Sequence, residues 1–259
     1  MRRCLAVTVL LLLSAVGCAD REQAAMSGEH TPATTGAADG KQFLLTYPNL
    51  ANPDGEVLLE NERVVVQRFI VAPGEWEGVH SHPGNQLYVH VKGGQWSGIT
   101  GGGEPTSSGN PSADGSVGWM EAISLSEGHE SGNTGDTPID LIWVTLKEDA
   151  PAEPDIDHAE QIYPNIPLEL LLENERMIVQ RAQIEPGEWE GIHSHPGNQI
   201  YIHIKGGVWS GRSGGVQGDP SPFSEAGSVG WSNAVPLSAQ HESGNTGDTT
   251  IDLIWVTLK

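Results

Sequence analysis

Two stretches of this chain are copies of one another, and that repetition limits the fold more than any other feature of the sequence. Val57 to Gly98 reads VLLENERVVVQRFIVAPGEWEGVHSHPGNQLYVHVKGGQWSG, and Leu170 to Gly211 reads LLLENERMIVQRAQIEPGEWEGIHSHPGNQIYIHIKGGVWSG, at a constant offset of 113 residues. Gly128 to Lys147 returns as Gln240 to Lys259 at an offset of 112, so one residue is lost in the Gly/Ser-rich stretch between the blocks, where loop length changes at little cost. All 8 Trp and all 4 Tyr residues pair across the copies. A period this long exceeds that of a solenoid repeat and implies two complete domains, expected at 42–148 and 158–259, joined by an acidic, Pro-rich linker at 149–157.

Within each copy the apolar runs are short and bounded by turns. Arg63 to Val71 reads as a strand, Pro73-Gly74 as a turn, Glu75 to His82 as an alternating strand, and Pro83-Gly84-Asn85 as a second turn. Gln86 to Lys92 alternates again and stops at Gly93-Gly94; Ile139 to Leu146 closes the copy. Only Pro167 to Glu173 allows a helical turn. The expectation is an all-β chain, with each copy a barrel or a sandwich.

The first 18 residues are expected to be a signal peptide with a lipobox-like end, cleaved so that Cys18 is kept. Arg2-Arg3 precedes an apolar run, Leu5 to Val16, that is too short to span a bilayer and suits a signal-peptide core. It ends Ala15-Val16-Gly17-Cys18, which resembles the lipobox of bacterial lipoproteins, with Ala15 where Leu is usual; the resemblance implies lipid on Cys18. Residues 19–41 hold almost no apolar content and read as a flexible tether. The chain is therefore expected to be exported to the periplasm or cell surface, touching a membrane only through its lipid. Cys4 and Cys18 are the only cysteines, so no disulfide braces the domains. Asp+Glu 34 against Lys+Arg 13 gives a net charge of −21, which repels a nucleic-acid backbone and excludes that class of partner.

Periodicity then singles out a group of polar side chains facing inward. A period of two puts Trp76, Gly78, His80 and His82 on one face, and groups Gln86, Tyr88 and His90 against Leu87, Val89 and Val91. Imidazoles and an amide pointing into a core need a partner. His80 and His82 stand about 7 Å apart at Cα, within reach of one ion, with Gln86 returning on the next strand. Two other readings stay open: imidazoles bonded to one another and to water, and a Gln that only hydrogen-bonds beside three histidines. His90 and His203 lie too far along the strand to share the ion and read as core or pocket floor. Tyr88, Tyr201, Trp76 and Trp189 either line the pocket or pack the core.

These residues resemble the cupin superfamily. Gly74, His80, His82, Gln86 and Gly93 fill its first motif, as do Gly187, His193, His195, Gln199 and Gly206. Gly118, His129 and Asn133 fill the second in one copy, and Gly230, Pro236, His241 and Asn245 in the other; Ser124 replaces Pro, and Ser126 and Ser238 replace Gly. The resemblance implies tandem double-stranded β-helix barrels, a bicupin, with one divalent metal (Fe, Mn, Ni or Zn) per barrel. It assigns His80, His82, Gln86 and His129 to one ion and His193, His195, Gln199 and His241 to the other. Gln stands where the family has Glu, so the set lacks an anion and a general base, which favours an anionic ligand and oxidative or Lewis-acid work. The expected function is a dioxygenase or other metal-dependent enzyme acting on a small oxygenated or carboxylate compound. The alternative is a non-catalytic protein that captures a metal or small molecule, and self-association beyond a pairing of the two halves is left open.

Overall fold

The computed structural model describes residues 40–147 and 163–259. The leader with Cys18, residues 19–39 of the tether and the linker 149–157 lie outside the described residues. Gly40–Phe43 forms a single 3-10 turn where the tether was expected to end.

The first half contains β1 (Glu56–Glu60), β2 (Val64–Val71), β3 (Gln86–Lys92), β4 (Trp96–Ile99), β5 (Thr106–Ser107), β6 (Val117–Met120), β7 (Glu130–Asn133) and β8 (Ile139–Leu146). The second repeats it as β9 (Leu168–Glu173), β10 (Met177–Ile184), β11 (Gln199–Lys205), β12 (Trp209–Ser213), β13 (Val216–Gln217), β14 (Val229–Ser232), β15 (His241–Asn245) and β16 (Ile251–Leu258). Each half is an all-antiparallel jelly-roll of two sheets, ordered β1-β2-β8-β3-β6 and β5-β4-β7 in the first, β9-β10-β16-β11-β14 and β13-β12-β15 in the second. β3 coincides with the run read from alternation and β8 with the expected closing strand, and β2 begins one residue later than expected.

Two expectations need correction. Leu168–Glu173 is a strand, not a helical turn: it pairs with β10 across a bulge at Val179/Gln180, and that ladder overrides a weak local preference. Glu75 to His82 is no continuous strand. Isolated bridges join Trp76 to Gly132, His80 to His129 and His82 to Ile123, and Gly78 sits between them at φ +80°, a left-handed conformation that breaks the period of two.

Strict alternation on β2, β3 and β8 sends side chains to two different cores. Leu87, Val89 and Val91 leave one face of β3 and join Val64, Val66, Ile142, Val144 and Leu146 in a cluster that continues into Met177, Val179, Ile200, Ile202, Ile204, Ile254, Val256 and Leu258 of the second half. This apolar layer belongs to both barrels, and burying a side chain of this size is worth about 1.5–3 kcal/mol. The other face points into each barrel, where Leu45, Tyr47, Phe69, Leu141 and Trp143 pack in the first and Tyr163, Ala182, Leu253 and Trp255 in the second. At the edges of the shared layer the halves interlock reciprocally. A Cβ on Gly227 would lie 2.5 Å from Arg68 Cζ, and one on Gly115 2.6 Å from Arg181 Cζ. Each arginine is held flat by a two-pronged bond to Asp140 or Asp252, with N–O distances of 2.6–2.8 Å.

Candidate metal centre

Each barrel interior gathers three histidines. The bridge between His80 and His129 sets their side chains as direct cross-strand neighbours, and His82 follows two residues on from the first, on the same side. One ring nitrogen from each of His80, His82 and His129 lies within 4.8 Å of the other two; His193, His195 and His241 repeat the arrangement. The first two histidines of each triad are buried and the third is partly open to solvent.

The hydrogen bonds fix which nitrogen faces inward. His80 Nδ1 is 2.8 Å from the Gly78 carbonyl, and His82 Nδ1 is 2.5 Å from Gln86 Oε1. Neither acceptor has a hydrogen to give, so both Nδ1 atoms donate and both Nε2 atoms carry bare lone pairs. Those lone pairs face each other at 3.1 Å. Burial holds both rings neutral, with pKa values lowered to about 4, so neither has a proton to share at neutral pH. Two neutral acceptors at that distance repel unless a cation lies between them. Nitrogens bound at about 2.1 Å at right angles on one ion would be about 3.0 Å apart, so the residues fit a metal. In the second barrel the His193 and His195 Nε2 atoms stand 2.8 Å apart, with pKa values lowered by burial to about 4 and about 3.

The amide serves differently in the two copies. Gln86 Oε1 accepts from His82 while its Nε2 donates to Thr145 Oγ1 at 2.7 Å. Gln199 keeps the donation, to Thr257 Oγ1 at 2.8 Å, but its Oε1 has no partner. There Ser232 Oγ stands 3.1 Å from His195 Nδ1; the hydroxyl itself donates to the Asn233 carbonyl, so it accepts from the imidazole.

His90 and His203 are buried with both nitrogens engaged, Nε2 accepting from Trp96 or Trp209 Nε1 at 2.9 Å and Nδ1 lying 3.1 or 3.0 Å from Ser116 or Ser228 Oγ. Tyr88 and Tyr201 stand between these histidines and Trp143 or Trp255, against Gly118 and Gly230, whose missing side chains make room for the phenol. Trp76 and Trp189 lie half-buried over Gly132 and Gly244.

Three kinds of residue at the centre went unnoticed in the sequence. Tyr47 and Tyr163 place their rings 4.7 and 4.3 Å from His80 and His193. Trp143 and Trp255 lie 5.1 and 5.7 Å from His82 and His195. The phenol oxygens of both tyrosines and the indole nitrogens of both tryptophans are buried without a well-directed hydrogen bond, although Tyr47 lies against Glu77 and Trp143, and Tyr163 against Gln199. Glu77 and Glu190 are 2% and 0% exposed, and each puts Oε2 3.9 Å from the Nε2 of the first histidine. Burial raises both carboxyls to about 8, offset in part by Tyr47 and Ser131 around Glu77 and by Ser243 near Glu190. Neither oxygen of Glu190 makes a well-directed hydrogen bond even so. The signals were present: Tyr-Pro-Asn recurs at 47–49 and 163–165, and Glu-Gly at 77–78 and 190–191.

The fold and the triads together define a class: each half is a jelly-roll β-barrel with the topology of a cupin fold, carrying a cluster of three histidines able to hold a metal ion. No protein-family model and no curated protein matches the sequence. Among solved structures the chain is similar to AerE from Microcystis aeruginosa, at a TM-score of 0.55 and 14% identity, covering 84% of this chain and 99% of that one. It is also similar to oxalate decarboxylase from Lactobacillus farciminis in a formate complex (0.51, 12% identity, 79% and 83% covered). A variant of the Bacillus subtilis oxalate decarboxylase gives 0.52 at 11% identity, with 79% and 75% covered. At such identities the likeness is one of fold.

Proposed function

We propose that the chain holds one divalent ion (Fe, Mn, Ni or Zn) on each triad and acts on a small oxygenated or carboxylate compound in a dioxygenase-like or Lewis-acid reaction. The observation that carries this is the pair of bare Nε2 lone pairs at 3.1 and 2.8 Å, each held in that tautomer by a partner on Nδ1. Such tautomer control is typical of metal-binding histidines. A bound ion would supply polarisation of a ligand oxygen and, if redox-active, electrons. The protein's own groups would seat the ligand. The Tyr47 hydroxyl and Trp143 N–H, with Tyr163 and Trp255 in the second barrel, are buried donors beside the cluster that make no well-directed hydrogen bond, Tyr47 lying against Glu77 and Trp143 and Tyr163 against Gln199, and donors of that kind recognise oxygen atoms rather than hydrocarbon.

The test is elemental analysis of purified protein followed by turnover assays. About two ions per chain are expected, falling to one in His82→Ala or His195→Ala and to none in the double variant. Product formation or O₂ uptake with small carboxylates, lost in the double variant, supports an enzyme; stoichiometric ligand uptake without product supports a capture protein. Metal-free protein that takes up no divalent ion would sink both. The same proposal puts the barrels outside the cytoplasm, tethered through lipid on Cys18, which mass spectrometry of membrane-extracted protein would test.

A further inference from the structure

The first barrel closes its own interior at a place where the second does not. Gln67 on β2 is fully buried and its amide is spent: Oε1 accepts from Leu45 N–H at 2.8 Å, and Nε2 donates to the Leu45 and Asp54 carbonyls at 2.9 and 2.7 Å. Two residues on, Phe69 is capped by the turn at Gly55, where a Cβ would lie 2.8 Å from the ring. The second barrel lacks these supports. Ala182 replaces the ring, and the seven residues between Asn49 and Val57 shrink to four between Asn165 and Leu170, which removes the Asp54-Gly55 turn. Gln180 keeps the position of Gln67 and is only 5% exposed, yet its Oε1 has no partner.

Gln180 faces inward. It stands two residues from Ala182 on β10, hence on the same face, and is paired directly across the ladder with Trp255 of β16, whose Nε1 is also buried and unpartnered. Among the described residues, the buried side-chain atoms without a well-directed hydrogen bond fall on Tyr47 and Trp143 in the first barrel, but on Tyr163, Gln180, Glu190, Gln199 and Trp255 in the second. Ser243 approaches Glu190 and Gln199 approaches Tyr163, which leaves the Gln180 carbonyl and the Trp255 N–H as the bare pair. An unspent acceptor and an unspent donor on paired positions are both satisfied by one hydroxyl, because it gives a proton and takes one. A carboxylate only accepts, an ammonium only donates, and an alkyl chain does neither.

We propose that the second barrel is built for a small hydroxylated carboxylate, its carboxylate on the ion and its hydroxyl between Gln180 and Trp255 in the space that Phe69 fills in the first, a selectivity the first barrel lacks. This rests on the metal reading above and adds which barrel selects the ligand and by which functional group. A dication held by three neutral imidazoles draws the carboxylate. Trp255 lies 5.7 Å from His195, ring to ring, so one small molecule reaches both. In the first barrel the ring occupies that space, and Gln67 has no bond to offer.

The test uses full-length protein loaded with Co²⁺ and titrated by calorimetry with propionate, lactate and glycerate, which share a chain length and a charge and carry no, one and two hydroxyls. His82→Ala leaves only the second ion and His195→Ala only the first, so each barrel is read alone. Chelation of the metal by a hydroxyl favours glycerate over propionate in both barrels and cancels in the comparison. The preference for glycerate should be about 10-fold larger in the second barrel, the effect of one well-placed hydrogen bond. Gln180→Met should bring it down to that of the first without loss of Co²⁺, and Ala182→Phe should abolish glycerate binding there. If Gln180→Met does not fold, the comparison of the two histidine variants still decides. An equal preference in both barrels, a preference that survives Gln180→Met, or Co²⁺-loaded protein that binds none of the three acids would overturn the hydroxyl pocket and leave the ions in place. Wild type that takes up no Co²⁺ would overturn the metal reading beneath it.

Discussion

The two barrels hold the same three histidines and differ in what surrounds them. In the first, Phe69 fills the interior against Tyr47, ring centroids 4.4 Å apart, and Gln86 alone steadies His82. In the second, Ala182 stands where Phe69 does, and Tyr163 comes near Trp255, nearly parallel at 6.2 Å, and near His195 at 6.4 Å. Ser232 stands where Met120 does and takes over the second histidine, leaving the Gln199 oxygen free. The imidazole planes record the exchange: His80 and His82 cross at 60°, whereas His193 and His195 are close to parallel at 22°. Two substitutions thus give the second site more room and more unspent polar groups. Identical ligands do not make identical sites.

That contrast can be broken most forcefully at Phe69. Phe69→Ala should enlarge the first interior and cost about 3–5 kcal/mol by chemical denaturation, whereas Ala182→Phe, overfilling the second, should cost about 1–3 kcal/mol. The same Ala182→Phe change should close the second site to any ligand larger than the ion while leaving its Co²⁺ uptake in place, read by titration of one ligand with one equivalent of metal bound.

Next in size is the response to pH. The lowered imidazoles, His80, His82, His193 and His203 at about 4 and His195 at about 3, make the unfolded chain bind more protons than the folded one below about 6.5. Stability of metal-free protein should therefore fall as pH drops from about 6.5 towards 4. Glu77 and Glu190, raised to about 8, act oppositely: the folded state holds their protons longer, and stability should decline as pH rises from 4.5 through 8. Histidines outnumber glutamates on the acid side, so melting temperature should peak near pH 6.5. Glu77→Gln with Glu190→Gln should flatten the alkaline limb and steepen the acid limb above about pH 4.5.

The smallest effect is the sharpest probe of the difference between the halves. Ser232→Met should move His195 onto Gln199, and Met120→Ser should offer His82 a second acceptor. Each hydrogen bond is worth about 1 kcal/mol, so Co²⁺ affinity should shift several-fold at the altered site and not at its twin. Equal shifts at both sites would refute the assignment of Ser232 to His195.

How much was legible in the sequence follows from where backbone geometry is regular. Gln86 to Lys92 could be read to the residue because alternation stopped by Gly93-Gly94 leaves one register, and Ile139 to Leu146 because a short apolar run between Pro138 and Lys147 suits a strand buried on both faces. His80, His82 and Gln86 came with that alternation, and His129 with the motif. Glu77 was hidden because Gly78 reverses the chain just before the histidines, so counting by two put Trp76 and not Glu77 inside. Tyr47 and Tyr163 were hidden for another reason: they precede the constant-offset block and reach the site by packing across the barrel, which no local spacing reports.

The apolar layer between the halves has a consequence for how such a chain can change. Leu87, Val89 and Val91 face it from the same strand whose opposite side presents Gln86, Tyr88 and His90 to the first cavity, and β11 does likewise for the second. One backbone thickness separates each barrel interior from the seam, so a methyl added at the seam is felt in both. Severing the peptide between residues 148 and 162 should leave the fragments clasped as a heterodimer, each protomer completing the other's wall. A gene that began as two equal halves would then be free to specialise one chamber only through residues that never touch that seam, and Phe69/Ala182 and Met120/Ser232 both lie away from it.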